Sequence, residues 1–173
     1  MIDEKLPQFA MKGIDKECKV IDISNEHIRG KYAVFVFYPL AFTYVCPTEL
    51  KELGNITEKL EALGSVVISV STDSHYVQLQ WRSNDPVIRK TTFIMASDLN
   101  RRFSRSLGML TPNNEICRRG VIVVNPDGEI MASLVYPDRV GRNFDEIHRI
   151  VAAAKTGELC PANWKEGDPF IKI

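Results

Sequence analysis

The segment YAVFVFY at residues 32–38 constrains the fold more than any other part of the chain. It is apolar, aromatic and β-branched, and it is bounded by Gly30 and Pro39, so we predict a buried strand. A helix is predicted soon after this strand, because apolar residues recur at helical spacing at Leu50, Leu53, Ile56, Leu60 and Leu63. A strand followed closely by an amphipathic helix is typical of α/β folds.

The rest of the chain continues this alternation of strands and helices. Apolar runs predict two more buried strands, at 65–71 and 91–97. Helical segments are predicted from about His75 (with Pro86 as a candidate interruption), through Leu99–Leu107, and over 143–155. The segment Pro126-Asp127-Gly128 is a turn signal between GVIVVN and EIMASLVY, which predicts an antiparallel hairpin. We therefore expect an α/β fold with a central mixed β-sheet flanked by helices, in one domain over residues 1–173.

The composition excludes several classes of partner. The chain has 173 residues, of which 45% are apolar, and a formal net charge of +0, so it can bury a core but offers no basic face for nucleic acid. The N-terminal segment MIDEKLPQFA lacks a cationic region leading into an apolar run, and no stretch approaches the roughly eighteen apolar residues of a membrane span. We therefore expect a soluble cytoplasmic protein that binds neither nucleic acid nor a membrane.

The cysteines favour redox chemistry over a structural role. The four cysteines, Cys18, Cys46, Cys117 and Cys160, are too few and too scattered for a disulfide framework. None forms a Cys-x-x-Cys pair and the three histidines are far apart, so we expect no metal and no cofactor. In a reducing compartment, a pair of these cysteines is expected to be catalytic.

Cys46 lies where the predicted strand gives way to the predicted helix. Pro47 suits the first helical position, and Glu49 complements the positive end of the helix. Unsatisfied backbone N–H groups and the helix dipole favour the thiolate over the thiol at that position. We therefore predict a reactive nucleophile. The alternative is a buried structural cysteine, which is the common state of a free cysteine.

Pro39, Thr43 and Cys46 reproduce the Pro-x-x-x-Thr-x-x-Cys signature of the peroxiredoxins, the thiol peroxidases that reduce hydroperoxides. The chain also resembles the typical two-cysteine branch of that family, including the peroxidase component of bacterial alkyl hydroperoxide reductase, in VCPTE, STDSHYVQLQW, RRGVIVVNPDGEI, VGR and GELCPANWKEGD. The resemblance covers nearly the whole chain and implies a thioredoxin-like fold. It implies a peroxidase that reduces hydrogen peroxide and organic hydroperoxides.

The resemblance also implies roles for the residues around Cys46. Thr43 would place its hydroxyl on the peroxide, Pro39 would shield the pocket from water, and Arg119 would lie near the sulfur. Neighbouring strand residues face opposite ways, so only one of Arg118 and Arg119 can point into the site, and the Arg-Gly match favours Arg119.

Two further residues, Glu49 and Arg142, are supporting candidates. Arg142 would hold Glu49 or Arg119 in place, and Glu49 would orient an arginine. For both, a surface position without a role in the site is the alternative.

Attack on a peroxide leaves a sulfenic acid, which condenses with a nearby thiol. The resemblance implies that this thiol is Cys160 of the opposite protomer, within segment 157–173. The protein would then be a head-to-tail homodimer, and five such dimers could assemble into a ring. Cys117 and Cys18 are the other candidates, and both are expected to be ordinary cysteines. The implied partner is a thioredoxin-like or flavoprotein disulfide reductant. A redox-regulated chaperone or a peroxide sensor would use the same Cys46 and remains the alternative function.

Overall fold

The computed structural model describes all 173 residues and builds them around one seven-stranded sheet. The strands are β1 (Ala10–Ile14), β2 (Val20–Ser24), β3 (Tyr32–Phe37), β4 (Ser65–Ser71), β5 (Ile94–Ser97), β6 (Arg119–Val124) and β7 (Ile130–Tyr136). The α-helices are α1 (Val45–Ala62), α2 (His75–Asn84), α3 (Arg102–Ser106) and α4 (Phe144–Thr156).

The sheet is mixed, with the strand order β2-β1-β5-β4-β3-β6-β7. Strands β3, β4 and β5 are parallel to one another, whereas β6 runs antiparallel to β3 and pairs Gly120 with Phe37. Strand β3 thus lies between two other strands, which is why its sequence is almost entirely apolar. The mixed sheet with its helices confirms the predicted α/β fold class.

Both faces of the sheet are covered. Alternate residues of β3 enter two different cores, because successive side chains of a strand point to opposite faces. Val34 and Val36 pack in the core that includes Cys46 and residues of α1, α2 and α4. Phe35 and Phe37 pack in the second core, which includes Cys117 and Phe103 of α3. The helices therefore flank the sheet on both sides.

Several boundaries differ from the sequence prediction. The N-terminal hairpin of β1 and β2 was not predicted, because its strands alternate poorly and carry exposed charged residues. The strand predicted from Thr91 begins at Ile94, since a 3₁₀ turn over Ile88–Lys90 precedes it. Helix α2 ends at Asn84, just before Pro86, so the proline lies beyond the helix and does not interrupt it. No helix is both long and apolar enough to cross a bilayer.

Candidate active site

Cys46 is the second residue of α1, and its side chain is 0% exposed. A short loop, residues 38–44, connects it to the end of β3. The first turn of α1 has no side-chain cap, since Tyr44 at the N-cap makes no such hydrogen bond. The N–H groups of that turn and the helix dipole therefore favour a negative charge near Cys46.

Arg119, the first residue of β6, contacts the Cys46 sulfur. Its Nη1 lies 3.4 Å from the sulfur and donates to Glu49 Oε2 at 2.7 Å, while Nε donates to the Asp138 carbonyl at 2.6 Å. The neighbouring Arg118 points away and donates to the carbonyl of Leu110. Of the two candidate arginines, the structure therefore places Arg119 beside Cys46.

Glu49 and Arg142 form a buried ion pair behind Arg119. The Arg142 guanidinium donates to both carboxylate oxygens of Glu49, at 2.9 and 2.8 Å. It also donates to the carbonyls of Phe37 and Gly120, at the ends of β3 and β6. Because Glu49 is 2% exposed and the Arg142 side chain 0%, neither occupies the surface position that was the alternative.

The charges of this cluster do not cancel one another. Two guanidiniums and one carboxylate leave one positive charge beside the buried Cys46 sulfur. Desolvation lowers the pKa of Arg119, but its hydrogen bond to Cys46 and the charge of Glu49 outweigh burial and raise the pKa above its usual value. Arg119 therefore stays charged beside Cys46.

Pro39 and Thr43 lie in the loop before α1. Pro39 is buried and Thr43 is half-buried. The Thr43 hydroxyl donates to the Leu40 carbonyl at 2.9 Å, so its oxygen lone pairs are left to accept a hydrogen bond from a ligand. The hydroxyl makes no hydrogen bond to the Cys46 sulfur.

Cys160 is not brought to Cys46 within one chain. It follows α4, and its sulfur lies 3.6 Å from the Thr156 hydroxyl and 4.0 Å from the Ala153 carbonyl. All four cysteines are unbonded thiols. The segment after Cys160 folds back on its own protomer, where the Trp164 ring is 3% exposed.

The remaining cysteines have different surroundings. Cys117 is 0% exposed and packs against the other face of the sheet, where burial raises its pKa to about 12. Cys18 is half-buried in the turn between β1 and β2. No group of three or more His, Cys, Asp or Glu side chains is arranged to hold a metal ion.

Sequence reasoning missed one residue that contacts this site. Asp73 follows β4, and its Oδ2 accepts the backbone N–H of Ala41 at 2.9 Å. Strands β3 and β4 are parallel neighbours, so the residues after their carboxyl ends meet at one edge of the sheet. The acid in STDS, directly after a predicted strand, was the available signal.

A buried thiol at a helix start, held against an arginine on a mixed sheet, defines a thiol-dependent redox protein of the thioredoxin-like class. The family model "AhpC/TSA family" matches residues 2–133, and "C-terminal domain of 1-Cys peroxiredoxin" matches residues 152–173. The chain is 35% identical to alkyl hydroperoxide reductase C of Staphylococcus aureus, over 96% of this chain and 92% of that protein.

Solved structures agree with this likeness. AhpC of Enterococcus faecalis superposes with a TM-score of 0.88 at 32% identity, covering 92% of this chain and 98% of that one. The reduced 2-Cys peroxiredoxin of Plasmodium vivax gives a TM-score of 0.93 at 26% identity, covering 99% and 92%. This chain belongs to the AhpC/TSA family of peroxiredoxins.

The comparisons confirm the predicted family, the thioredoxin-like fold and the enzyme class, a thiol peroxidase with a peroxide substrate and a reductant. They do not favour the alternative of a chaperone or sensor.

Proposed function

We propose that this chain reduces hydrogen peroxide and organic hydroperoxides to water and alcohols in the cytoplasm, with Cys46 as the nucleophile. The observation that carries the proposal is the 3.4 Å contact between Arg119 Nη1 and the Cys46 sulfur. A buried thiol beside a fixed guanidinium is arranged for ionisation and for stabilising an oxygen that gains charge.

The chemistry follows from this arrangement. The Cys46 thiolate attacks one peroxide oxygen, the O–O bond breaks, and the second oxygen leaves as hydroxide or alkoxide and takes up a proton. Arg119 lies where the charge moves and can donate to the leaving oxygen. In this proposal the Thr43 oxygen accepts a hydrogen bond from the peroxide, and buried Pro39 keeps water from the sulfur. Glu49 and Arg142 fix the position of Arg119.

Recycling uses Cys160 in this proposal. The Cys160 thiol attacks the Cys46 sulfenic acid, so a disulfide forms and water leaves. Because Cys46 is 0% exposed and Cys160 contacts its own α4, the first turn of α1 and segment 157–173 must both open for the sulfurs to meet. A thioredoxin-like or flavoprotein reductant then supplies two electrons and restores both thiols.

The working unit we propose is a head-to-tail homodimer, in which each Cys160 serves the Cys46 of the other protomer. The edge strand β7 supports this, because beyond Ile130, whose backbone bonds to Asp3 and Glu4, its outer side is free to pair with a second chain. Arg119 pairs with Tyr136 of β7, so this edge lies one strand from the site. A ring of five dimers would need a second contact, for which Phe42, Tyr44 and Tyr76 are exposed by 60%, 94% and 66%.

Electrophoresis without reducing agent tests the disulfide. After treatment with peroxide, wild type and Cys117→Ser are expected to run as covalent dimers, whereas Cys160→Ser stays monomeric. Intact monomer in all three proteins would contradict a disulfide between protomers. A steady-state assay with thioredoxin and excess peroxide completes the test, because multiple turnovers are expected and a single stoichiometric oxidation would contradict a peroxidase.

A further inference from the structure

Residues 39–44, the part of the active-site loop that carries Pro39 and Thr43, are held to the rest of the protein by a single hydrogen bond. Between residues 39–44 and the remaining chain, the only such bond joins the Ala41 N–H to Asp73 Oδ2, at 2.9 Å. The other hydrogen bond of the loop is internal, from the Thr43 hydroxyl to the Leu40 carbonyl. The position of the loop therefore rests on this one bond to a carboxylate distant in sequence, together with the packing of the buried Pro39 and Ala41 side chains.

The loop also has a backbone conformation that needs support. Phe42 has a φ of +58°, in the left-handed region that residues other than glycine rarely adopt. Its side chain is 60% exposed and gains little from burial, although its ring lies 5.7 Å from that of Trp81. The hydrogen bond from Ala41 to Asp73 is a contact from outside the loop that supports this conformation.

Buried groups hold Asp73 itself in place. The Ser71 hydroxyl donates to the same Oδ2 at 2.8 Å, and the Ser97 hydroxyl donates to the Asp73 backbone carbonyl at 2.7 Å. Gln78 Nε2 of α2 donates to the Ser71 hydroxyl oxygen and to the Ala96 carbonyl. Because Ser71 and Gln78 are both 0% exposed, the carboxylate is fixed before the loop binds it.

We propose that Asp73 is the positioning residue of the active-site loop, which it holds closed for attack on the peroxide and must release before Cys46 can reach Cys160. The inference rests on the proposed function. Cys46 lies only two residues beyond the loop, so a closed loop keeps the sulfur beside Arg119. An open loop carries Pro39 and Thr43 away and frees the first turn of α1.

This role predicts opposite effects on the two chemical steps. Asp73→Ala leaves the Ala41 N–H without its acceptor, so the open loop becomes about ten- to a hundredfold more populated. Formation of the sulfenic acid is expected to slow, because fewer molecules hold Thr43 beside the sulfur. Formation of the disulfide is expected to speed up by a similar factor, because opening precedes it. A merely structural role would slow both steps.

The test compares three variants of the full chain. Asp73→Asn keeps an oxygen acceptor for Ala41 and is expected to restore most of both rates. Asp85→Ala is the matched control, because the Asp85 carboxylate also accepts backbone N–H groups, from Val87 and Ile88, but at the other end of α2. Single-turnover oxidation with one equivalent of hydrogen peroxide separates the two steps. Hydrogen exchange over residues 39–48 of the reduced protein measures loop opening without any peroxide chemistry.

In Asp73→Ala we expect at least about tenfold faster exchange confined to residues 39–48, with Asp85→Ala like wild type over that segment. Unchanged exchange, or slowing of both steps, would overturn the role of Asp73. If Asp73→Ala fails to fold, Asp73→Asn decides, because it must show smaller changes of the same opposite sign. A wild type that consumes no peroxide would overturn the proposed function, while the exchange comparison would still test the loop.

Discussion

Cys46 and Cys117 are both 0% exposed, yet their surroundings have different charges. They pack in different cores of the same sheet. Cys46 lies 3.4 Å from the Arg119 guanidinium, in the first turn of a helix. The Ser104 hydroxyl lies 3.3 Å from the Cys117 sulfur, and burial raises the pKa of Cys117 to about 12.

Burial, together with the nearby carboxylates of Asp98 and Asp73, raises the pKa of Cys117, whereas Cys46 has a fixed cation beside its sulfur. Both thiols are equally removed from water, but only Cys46 also has Arg119 and the N-terminus of a helix beside it. Burial strengthens the electrostatic interaction of Arg119 with a peroxide at this site, because little water screens it. Apart from the controls, each variant below alters the surroundings of one of these two cysteines, or the cysteine itself, and leaves the other cysteine unchanged.

The largest effect is expected for Glu49→Gln. Glu49 is the only carboxylate that pairs with the two buried guanidiniums of Arg119 and Arg142, so its loss leaves them uncompensated. Breaking a buried pair in this way typically lowers the free energy of unfolding by about 3–5 kcal/mol. Urea unfolding of the reduced protein measures the change.

The matched control is Glu146→Gln, whose partner Arg149 lies one turn along α4. These side chains are 35% and 32% exposed, so water already screens their interaction and the loss should stay below about 1 kcal/mol. Equal losses of unfolding free energy in the two variants would show that the buried pairing of Glu49 with Arg119 and Arg142 stabilises the fold no more than an exposed ion pair does.

Arg119→Lys is expected to slow the reaction with hydrogen peroxide by about a hundredfold. Lysine keeps the charge but lacks the planar fork that reaches the Cys46 sulfur, Glu49 and the Asp138 carbonyl together. Ionisation alone cannot account for such a factor. Converting an ordinary thiol of pKa about 8.5 to a thiolate gains about thirtyfold at pH 7, and most of that gain is offset by lower nucleophilicity.

Rapid-mixing rates and a pH titration of thiolate absorbance, run on the same samples, test this prediction. A rate loss much larger than the change in thiolate fraction is expected. Proportional changes in the two quantities would mean that Arg119 acts on ionisation only. Arg118→Lys is the control, because that guanidinium contacts the Leu110 carbonyl and not the sulfur, and its rate should stay within about twofold of wild type.

Features set by local pattern could be predicted from the sequence. The apolar run before Pro39 predicted β3, and helical spacing predicted α1 with Cys46 at its start. The opposite orientation of Arg118 and Arg119 followed from strand alternation together with a family match. These inferences need only a few neighbouring residues.

Features set by strand register could not be predicted in this way. The contact between Asp73 and Ala41 depends on β3 and β4 being adjacent and parallel, with Phe37 opposite Val70. Likewise, Arg142 lies 93 residues from Glu49, and no local pattern shows that it reaches the carbonyls of two strand ends. Long-range hydrogen bonds of this kind have no periodic signal in a single sequence.

The smallest effect is expected on the other side of the comparison, at Cys117. The folded chain keeps this thiol protonated up to about pH 12, whereas the unfolded chain releases the proton near pH 8.5. The resulting stabilisation is complete below about pH 8.5 and is lost as the pH rises toward the folded pKa. Between about pH 9 and 10, Cys117 should therefore lower the free energy of unfolding by about 1.4 kcal/mol per pH unit.

Urea unfolding of the reduced protein at several pH values isolates this contribution. Above about pH 9, the free energy of unfolding of Cys117→Ala should fall less steeply than that of wild type, by about 1.4 kcal/mol per pH unit. This difference in slope is separate from the stability that the variant loses at neutral pH through its smaller side chain. Cys18→Ala is the control, because it removes a half-buried thiol and should leave the wild-type slope nearly intact. If Cys117→Ala kept the full wild-type slope, Cys117 would ionise inside the fold without a cation beside it. Burial would then not be what keeps Cys117 protonated, and the lack of a cation beside Cys117 would no longer distinguish it from Cys46 beside Arg119.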